Sequence, residues 1–252
     1  MHARQDSPLA QACVEMTAAL HFLPSRDRIL RSSGRSGLAL PGEMPASEDY
    51  HEALWEAVPE GLEPVDFARR GDFLLGHIGP GERVLDVGCG EGRFAAELAR
   101  AGAEVVGIDV AAEPLRRARE RHPELDLRQV PAAGAWPLKD ASFDVVWAGE
   151  VIEHVADTAG WLSELRRVLR SGGLLLLSTP DHGRLRMLGW ALMPRAFATH
   201  FDPRSDHLRF YTPRSLSGLL DDFGFQDVAV RRAGGLPGAR RQLLASARRS
   251  RF

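Results

Sequence analysis

The 252-residue sequence predicts an α/β fold in which helices cover both faces of a doubly wound, mainly parallel sheet. Short apolar runs alternate with segments of helical periodicity along most of the chain, as expected for strand–helix–strand units. In the stretch from Arg83 to Phe94, a strand rich in Val and Leu breaks into three glycines at alternate positions, and a helix follows. Ligands of such sheets bind beyond the carboxyl ends of the strands, so we expect the functional site at this turn.

The composition is that of an ordinary globular protein, with 44% hydrophobic and 26% charged residues. The net charge of −2 gives no overall reason to expect binding to nucleic acid or to a membrane. Of the two cysteines, Cys13 is remote in sequence and Cys89 lies within the glycine turn, so no disulfide is expected. No apolar run approaches about 20 residues and no convincing signal peptide is present, which favours a cytoplasmic location.

The N-terminal segment, residues 1–47, differs in composition from the rest of the chain. Residues 31–37 are rich in Ser, Gly and Arg, which is typical of a flexible linker. We expect a poorly ordered extension here and a single domain over residues 48–252. An alternative is that Met44 is the natural start of the protein.

The elements of the domain follow from the same periodicities. The predicted helices span residues 50–58, 64–78, 94–99, 114–121, 158–169 and 213–223. The predicted strands span residues 83–87, 104–109, 125–130, 141–148, 174–180, 225–232 and 241–247. Thr212 and Pro213 predict the N-cap and first position of the last helix, while Gly172 and Gly173 are expected to end the helix before them.

Two arginine-rich segments are given structural interpretations. The arginines of the helix at residues 114–121 are expected to form an exposed face. They are Arg116, Arg117, Arg119 and Arg121. The arginines near the C-terminus are interpreted as protection of an edge strand against aggregation, in preference to a nucleic-acid site.

The spacing of the glycines distinguishes two classes of nucleotide-binding turn. A dinucleotide fold requires G-x-G-x-x-G, because the third small residue lets the helix pack on the strand, and Arg93 stands at that position here. The glycines instead follow G-x-G-x-G, with Asp86 two residues before Gly88. This arrangement resembles motif I of the class I S-adenosylmethionine (SAM) methyltransferases, in the methyltransferase type 11/12 group. The resemblance implies that Asp86, Gly88, Cys89 and Gly90 lie against the cofactor. A glycine turn without a ligand is the plain alternative.

The end of the second strand carries the next cofactor candidate. Asp109 lies 21 residues after Gly88, and an acid at this place reaches the ribose hydroxyls and accepts their hydrogen bonds. A simple cap of the following helix is the alternative. Many relatives have Asp where this chain has Ala132, so we expect backbone groups of Ala132 and Ala133, with packing from Val110, to hold the adenine. Trp136 can equally be an adenine platform or a core residue.

The run from Gly149 to Asp157 closely resembles the E-x-x-E-H-V motif that follows strand four in SAM methyltransferases. The resemblance places Gly149 and Glu150 beside the cofactor and His154 at the rim where the methyl group lies. A histidine can take a proton near neutral pH, so His154 is the candidate general base or orients the acceptor hydroxyl. A structural histidine bonded to nearby backbone is an equal alternative.

Two segments are expected to cover the site. In the ubiquinone-biosynthesis O-methyltransferases, which this chain resembles, an arginine in the helix before the first strand contacts SAM. Arg69 falls at that place, with Arg70 one residue away, although a solvated arginine pair is also possible. Residues 181–206 form a connection too long for a compact domain and are predicted to be a lid. Their apolar residues on a basic background could instead contact a membrane surface or a lipidic substrate.

The resemblance covers residues 48–247 and implies a three-layer Rossmann-like sheet of order 3-2-1-4-5-7-6 with an antiparallel last strand. It implies methyl transfer from SAM to a small-molecule acceptor, and we expect a hydroxyl oxygen. The alternatives are methyl transfer to nitrogen or carbon, methyl transfer to a lipid-linked or macromolecular acceptor, SAM binding without catalysis, and a dehydrogenase. No ligand cluster is evident in the sequence, so no metal is expected. No nucleic-acid partner is expected, and the protein is expected to be a monomer or a homodimer.

Overall fold

The structure is a computed structural model that describes residues 47–202, 205–235 and 240–251. The predicted extension lies outside the described residues except for Ser47, and so do Met44 and Cys13.

The described residues form strands and helices that alternate along the chain. The helices are α1 (Ser47–Ala57), α2 (Phe67–Leu75), α3 (Arg93–Arg100), α4 (Ala112–Arg121), α5 (Thr158–Val168), α6 (Arg184–Ala191), α7 (Pro194–His200) and α8 (Pro213–Asp222). The strands are β1 (Arg83–Val87), β2 (Glu104–Asp109), β3 (Asp126–Gln129), β4 (Phe143–Gly149), β5 (Leu169–Pro180), β6 (Phe225–Ala233) and β7 (Gln242–Arg249). Helix α8 begins as predicted, because Thr212 and Ser215 form a capping box and Pro213 occupies the first turn.

The strands form one sheet of order β3-β2-β1-β4-β5-β7-β6, which confirms the predicted topology. The pairs from β3 to β5 are parallel, whereas β7 runs antiparallel to both β5 and β6. The interpretation of the C-terminal arginines as part of an edge strand is therefore wrong. Strand β7 lies inside the sheet because Leu243, Leu244 and Ala245 are fully buried and require cover on both faces.

Each face of the sheet has its own apolar core. On one face, the strands pack against α5 and α8 through side chains that include Trp161, Leu165 and Leu216. On the other face, Phe73 of α2 and Phe94 of α3 pack against the central strands. These two packed faces complete the three-layer arrangement and leave the carboxyl ends of the parallel strands at one edge.

One connection differs from its prediction. The glycines at 172 and 173 were expected to end a helix, but α5 already ends at Val168 and β5 begins at Leu169. The register of β5 against β4 shifts between Phe143 and Val145, so the residues from Arg170 to Gly173 form an irregularity within the strand.

The predicted lid contains two helices, α6 and α7. Both follow β5 directly and contribute Arg186, Trp190 and His200 to the wall of a cavity at the carboxyl edge of the sheet. Within the described part of the chain, no helix is long and apolar enough to cross a membrane.

Candidate cofactor and acceptor site

The glycine turn after β1 is held against the end of β2 by backbone hydrogen bonds. The amides of Gly88 and Cys89 donate to the carbonyl of Ile108, at 2.8 and 3.0 Å. Gly88 has φ 69°, and a Cβ atom built there would lie 2.5 Å from Cγ2 of Val151. Both the left-handed backbone and the close approach of the loop after β4 therefore require glycine at this position.

Asp86 places a carboxylate at the end of β1, inside the cavity that the turn borders. Its side chain is 2% exposed, and Oδ2 has no hydrogen-bond partner. Burial raises the pKa of Asp86 to about 7, although the nearby Arg70 acts in the opposite direction. A buried oxygen without a donor indicates that a ligand supplies one.

Asp109 at the end of β2 organises the backbone on either side of it. Oδ2 accepts from the amide of Gly90 at 2.9 Å, and Oδ1 accepts from the amide of Ala111 at 3.0 Å. Burial raises the pKa of Asp109, while these backbone donors oppose the increase. A carboxylate has lone pairs beyond these two bonds, and Asp109 lines a cavity, so it can also accept from ribose hydroxyls.

Arg70, not Arg69, reaches the site. Arg69 is about half exposed and pairs with Asp66 at 2.8 Å. Asp66 borders a cavity at this edge of the sheet, but Arg69 does not. Arg70 is buried against the ring of Phe94, and its Nε has no hydrogen-bond partner. A Cβ at Gly149 would lie 2.2 Å from Nη2 of Arg70, so this glycine makes room for the guanidinium.

Two adjoining cavities lie along this edge of the sheet. The larger, of about 470 Å³, extends from the glycine turn to the lid helices. The smaller, of about 340 Å³, extends over the end of β2. Trp55, Gly88, Glu150, His154 and Asp206 line both cavities.

The cavities bring most of the predicted cofactor residues together. In addition to the residues common to both cavities, the predicted residues that line one or the other are Asp86, Cys89, Gly90, Gly149, Asp109, Val110, Ala132 and Ala133. The side chain of Cys89 packs with Leu115 and Leu127, and burial raises the pKa of its thiol. Trp136 is both buried in the core and part of the smaller cavity.

The unpartnered Asp86 Oδ2 and Arg70 Nε fit the charged amino-acid part of SAM, and the apolar smaller cavity fits its adenine.

Helix α1 covers the glycine turn and is fastened by contacts with α4. The ring of Trp55 lies 3.0 Å from the position that a Cβ on Gly90 would take. The carboxylate of Glu52 accepts from the amides at the start of α4, including that of Glu113 at 3.0 Å. The prediction that Arg117 is exposed is wrong, since its side chain is 5% exposed.

The guanidinium of Arg117 connects the cover helix to the glycine turn. It donates to the carbonyls of Trp55 and Val58, at 3.0 and 2.8 Å, and to the buried carboxylate of Glu91 at 3.3 Å. Glu91 in turn accepts from the amide of Gly61 at 3.0 Å. No local pattern in the sequence distinguishes Arg117 from the three other arginines of α4, so only the contacts identify it.

The loop after β4 is bound to distant parts of the chain. Glu150 adopts φ 59° and accepts from the hydroxyl of Ser178 and the side-chain amide of Gln242, at 2.9 and 3.1 Å. Glu153 is fully buried, and its carboxylate accepts from Thr179 at 2.9 Å. The carbonyl of Glu153 accepts from the amide of Leu208 at 2.8 Å, which brings the segment before α8 over the loop.

His154 lies where the two cavities meet. Its Nδ1 is 3.1 Å from the carbonyl of Asp206 and 3.3 Å from Oδ2 of the same residue. Its Nε2 is 3.9 Å from Oε1 of Glu153, and its ring is 4.8 Å from that of His207. If Nδ1 carries the proton and donates to Asp206, Nε2 is left with a lone pair that can accept a proton.

The same region contains a possible metal site that the sequence did not indicate. One ligand atom from each of Glu153, His154 and His207 lies within 4.8 Å of the others, a donor set that suits a transition metal ion. Burial raises the pKa of Glu153 well above its usual range, which weakens it as a ligand near neutral pH. The expectation of a metal-free enzyme stays a prediction.

Comparison with known proteins gives consistent results. A family model described as a methyltransferase domain matches residues 61–230. A probable SAM-dependent methyltransferase from Mycolicibacterium smegmatis is 38% identical over 197 residues, covering 75% of this chain and 68% of that protein. A ubiquinone biosynthesis O-methyltransferase from a Ruegeria species is 37% identical over 154 residues, covering 59% of this chain and 62% of that protein.

A solved structure agrees in fold. Phosphoethanolamine N-methyltransferase 2 from Haemonchus contortus, in complex with phosphomonomethylethanolamine and S-adenosylhomocysteine, has a TM-score of 0.58 to this chain. The match covers 81% of this chain and 57% of that structure at 18% identity, so the likeness concerns the fold alone.

Proposed function

This chain belongs to the methyltransferase domain family and is a SAM-dependent methyltransferase, and we propose that it methylates a hydroxyl oxygen of a small-molecule acceptor. The observation that carries the choice of oxygen is His154, which borders both cavities and is held by Asp206 through Nδ1. A hydroxyl must lose its proton as it attacks a methyl group near neutral pH, and a fixed imidazole can accept it. A relative named as an O-methyltransferase supports the same choice.

The chain binds and orients the two reactants. SAM supplies an electrophilic methyl group on its sulfonium when it is bound. Asp86 and Arg70 provide unpartnered polar atoms at one end of the larger cavity, while Asp109 and Val110 border the smaller one. Holding donor and acceptor in line provides a large share of the rate, because little other chemistry is required for transfer from a good leaving group.

In this proposal, His154 removes the acceptor proton. The Nδ1–H group donates to Asp206, which fixes the tautomer and leaves Nε2 without a proton. Nε2 then takes the hydroxyl proton as the oxygen attacks the methyl carbon. Helices α6 and α7 cover the larger cavity and restrict the entry of water that would compete for His154.

The test is the substitution His154→Ala, for which we expect turnover to fall about 100-fold or more while SAM affinity is kept. Substitution by Gln separates proton transfer from hydrogen bonding, since Gln can orient a hydroxyl but cannot remove its proton. The control is His122→Gln, because His122 lines neither cavity. Turnover unchanged in His154→Ala would contradict the role, and a parallel loss of SAM affinity would indicate a structural histidine.

Transfer to nitrogen or carbon is distinguished by the product. Mass spectrometry of methylated acceptors from a panel of phenols, amines and activated carbon acids identifies the bond formed. A product methylated on nitrogen would replace the proposal for oxygen.

A lipid-linked acceptor is the second candidate, because the lid exposes large apolar side chains. Leu185, Leu188 and Leu192 are 64%, 55% and 75% exposed, beside the exposed Arg184 and Arg195. Such a surface fits the interface of an anionic membrane. Co-sedimentation with vesicles containing phosphatidylglycerol tests it, with Leu188→Ser plus Leu192→Ser expected to abolish binding. A water-soluble acceptor in the absence of vesicle binding would remove this candidate.

A further inference from the structure

We propose that the acceptor carries an oxyanion, a carboxylate or a phosphate, which binds between Arg186 of the lid and Arg241 beside β7. This proposal rests on the proposed function, because it assigns the lid end of the larger cavity to the acceptor. Both arginines line that cavity, together with Trp190, His200 and Gln242.

Arg186 is held in place without a carboxylate partner among the described residues. Its Nη1 donates to the backbone carbonyls of Asp181 and Arg241, at 3.2 and 3.0 Å. Its guanidinium lies 4.6 Å from the ring of Trp190, while Nε is buried and has no acceptor. The side chain is therefore oriented by carbonyls and an aromatic ring, and one donor remains available in a water-poor position.

The residues around Arg186 also leave polar atoms unpaired. Nε of Arg241, Nε2 of His200 and Oε1 of Gln242 are buried and lack hydrogen-bond partners in the structure. His200 stacks on Trp190 with ring centroids 3.5 Å apart. Unpaired buried polar atoms are costly, so their concentration at one end of a cavity indicates a polar ligand group there.

The charges indicate an anion as that group. Burial lowers the pKa of Arg186, and the nearby Arg241 acts in the same direction, while Asp181 and Glu150 oppose the decrease. The nearby acids have other donors: Oδ2 of Asp181 accepts from Arg232 at 2.9 Å, although its buried Oδ1 has no partner, and Asp66 accepts from Arg69 at 2.8 Å.

Glu150, the second acid that acts on Arg186, accepts from Ser178 and Gln242. Asp66 approaches Arg241 only to 3.9 Å. A ligand oxyanion would accept from both guanidinium groups and reduce their repulsion, whereas a neutral ligand would leave Arg186 without a direct ion-pair partner among the described residues.

The lid supports this assignment by its charge. Residues 183–200, which include both lid helices, contain Arg184, Arg186 and Arg195 and no Asp or Glu, whereas the two ends of the lid carry Asp181, Asp202 and Asp206. Electrostatic attraction would therefore draw an anionic acceptor to the lid end of the cavity, while Asp86 and Asp109 favour the cationic cofactor at the opposite end.

The experiment measures binding to the protein loaded with S-adenosylhomocysteine by isothermal titration calorimetry. The probes are benzoate, phenyl phosphate and the neutral benzamide, because the three share a phenyl ring and differ mainly in charge. We expect at least one anion to bind about tenfold or more tighter than benzamide, since hydrogen bonds to charged groups are strong. The anion that binds best identifies carboxylate or phosphate as the natural group.

The variants separate a built site from general attraction. Arg186→Met should remove the preference for the anion and leave benzamide affinity unchanged, and Arg241→Gln should reduce it independently. Arg184→Met is the matched control, because it removes the same charge from an exposed position on the same helix. Retained binding of S-adenosylhomocysteine verifies that each variant is folded.

The proposal is overturned if neither anion binds better than benzamide at millimolar concentration, or if Arg186→Met keeps the preference. It is also overturned if Arg184→Met reduces anion affinity as much as Arg186→Met does. These binding results do not depend on turnover. Anion binding without methylation of any hydroxylated probe would instead count against the proposed oxygen transfer and leave the oxyanion site in place.

Discussion

The two ends of the larger cavity are built in different ways. At the cofactor end, Asp86 and the glycine turn come from one continuous stretch, and Asp109 is bonded directly to that turn. At the lid end, residues from the loop after β4, from α6 and α7, and from the start of β7 meet. The cofactor end is thus largely a product of local backbone geometry, whereas the acceptor end depends on side chains that only the packed fold brings together.

This difference has a functional consequence. A site formed by backbone atoms tolerates few substitutions, because an added Cβ has no free space. A site formed by side chains can acquire a different ligand specificity when one of those side chains is replaced. We therefore expect substitutions at the cofactor end to abolish SAM binding and substitutions at the lid end to alter acceptor preference. The following predictions test that contrast in order of decreasing effect.

The largest effect is expected for Gly88→Val. The added side chain requires an unfavourable left-handed backbone and collides with Val151, which together cost about 3 kcal/mol or more. SAM affinity measured by calorimetry should fall about 100-fold. Gly134→Ala is the control, since Gly134 also has a positive φ but no atom lies within 4 Å of its Cβ position. Near-normal SAM affinity in Gly88→Val would contradict a rigid, backbone-built cofactor end.

A smaller effect is expected for Arg117→Met, which releases the cover helix from the glycine turn. The KM for SAM should rise about tenfold with kcat little changed, because the buried hydrogen bonds of Arg117 position Trp55 and not the acceptor. Arg116→Met, on the exposed side of the same helix, should leave both constants unchanged. A fall in kcat alone would show that the cover helix acts on the acceptor end instead.

The pH dependence of SAM binding should report on Asp86. Its raised pKa, about 7 in the free protein, means that its carboxyl is partly protonated at neutral pH. A cationic ligand favours the ionised form, so binding releases a proton below pH 7 and affinity should fall roughly fivefold from pH 7 to pH 6. Calorimetry in two buffers of different ionisation enthalpy measures the release.

The substitution Asp86→Asn should weaken SAM binding and remove most of this pH dependence. Burial also raises the pKa of Asp109, so we assign any pH dependence that remains in this variant to Asp109. The free energy of unfolding of the free protein should also depend on pH. A carboxyl whose pKa is raised in the folded state stabilises the fold at low pH, and this contribution is lost as the pH rises from the ordinary pKa of 3.8 to about 7. Binding that is independent of pH in the unsubstituted protein would contradict the raised pKa of Asp86.

The smallest effect is expected from chelation. If His154 acts as a free base, dialysis against EDTA should leave turnover unchanged. Loss of turnover that Zn²⁺ or Mn²⁺ restores would instead assign Glu153, His154 and His207 to a metal ion at the acceptor end.

The predicted cofactor end could be inferred from the sequence because each of its signals is local. Asp86, Gly88 and Asp109 stand at fixed positions relative to strand ends, and parallel strands place those ends along one edge. The choice between Arg69 and Arg70 failed for a geometric reason. Adjacent residues of a helix point about 100° apart. An error of one residue in the sequence alignment therefore exchanges a side chain that faces solvent for one that faces the cavity.

Long-range contacts were beyond the sequence. Arg117 is predicted to be exposed because it lies in a run of arginines. It is buried instead, because it donates to the carbonyls of Trp55 in α1 and Val58 just after it, three helices earlier in the chain. Likewise, β7 was given an edge role from its charges, whereas the apolar Leu243–Ala245 run places it between β5 and β6.

By itself, the sequence determined the fold class and the positions of most strands and helices, because periodicity and glycine spacing act over a few residues. The strand order and the cofactor class followed from the family resemblance that its motifs carry. Only the tertiary structure decided which arginine enters the site, how His154 meets Asp206, and that Arg186 lies beside Arg241. Those pairs are distant in the chain, and their contacts depend on burial and packing across separate elements. The acceptor end could therefore be found only after the fold had brought its side chains together.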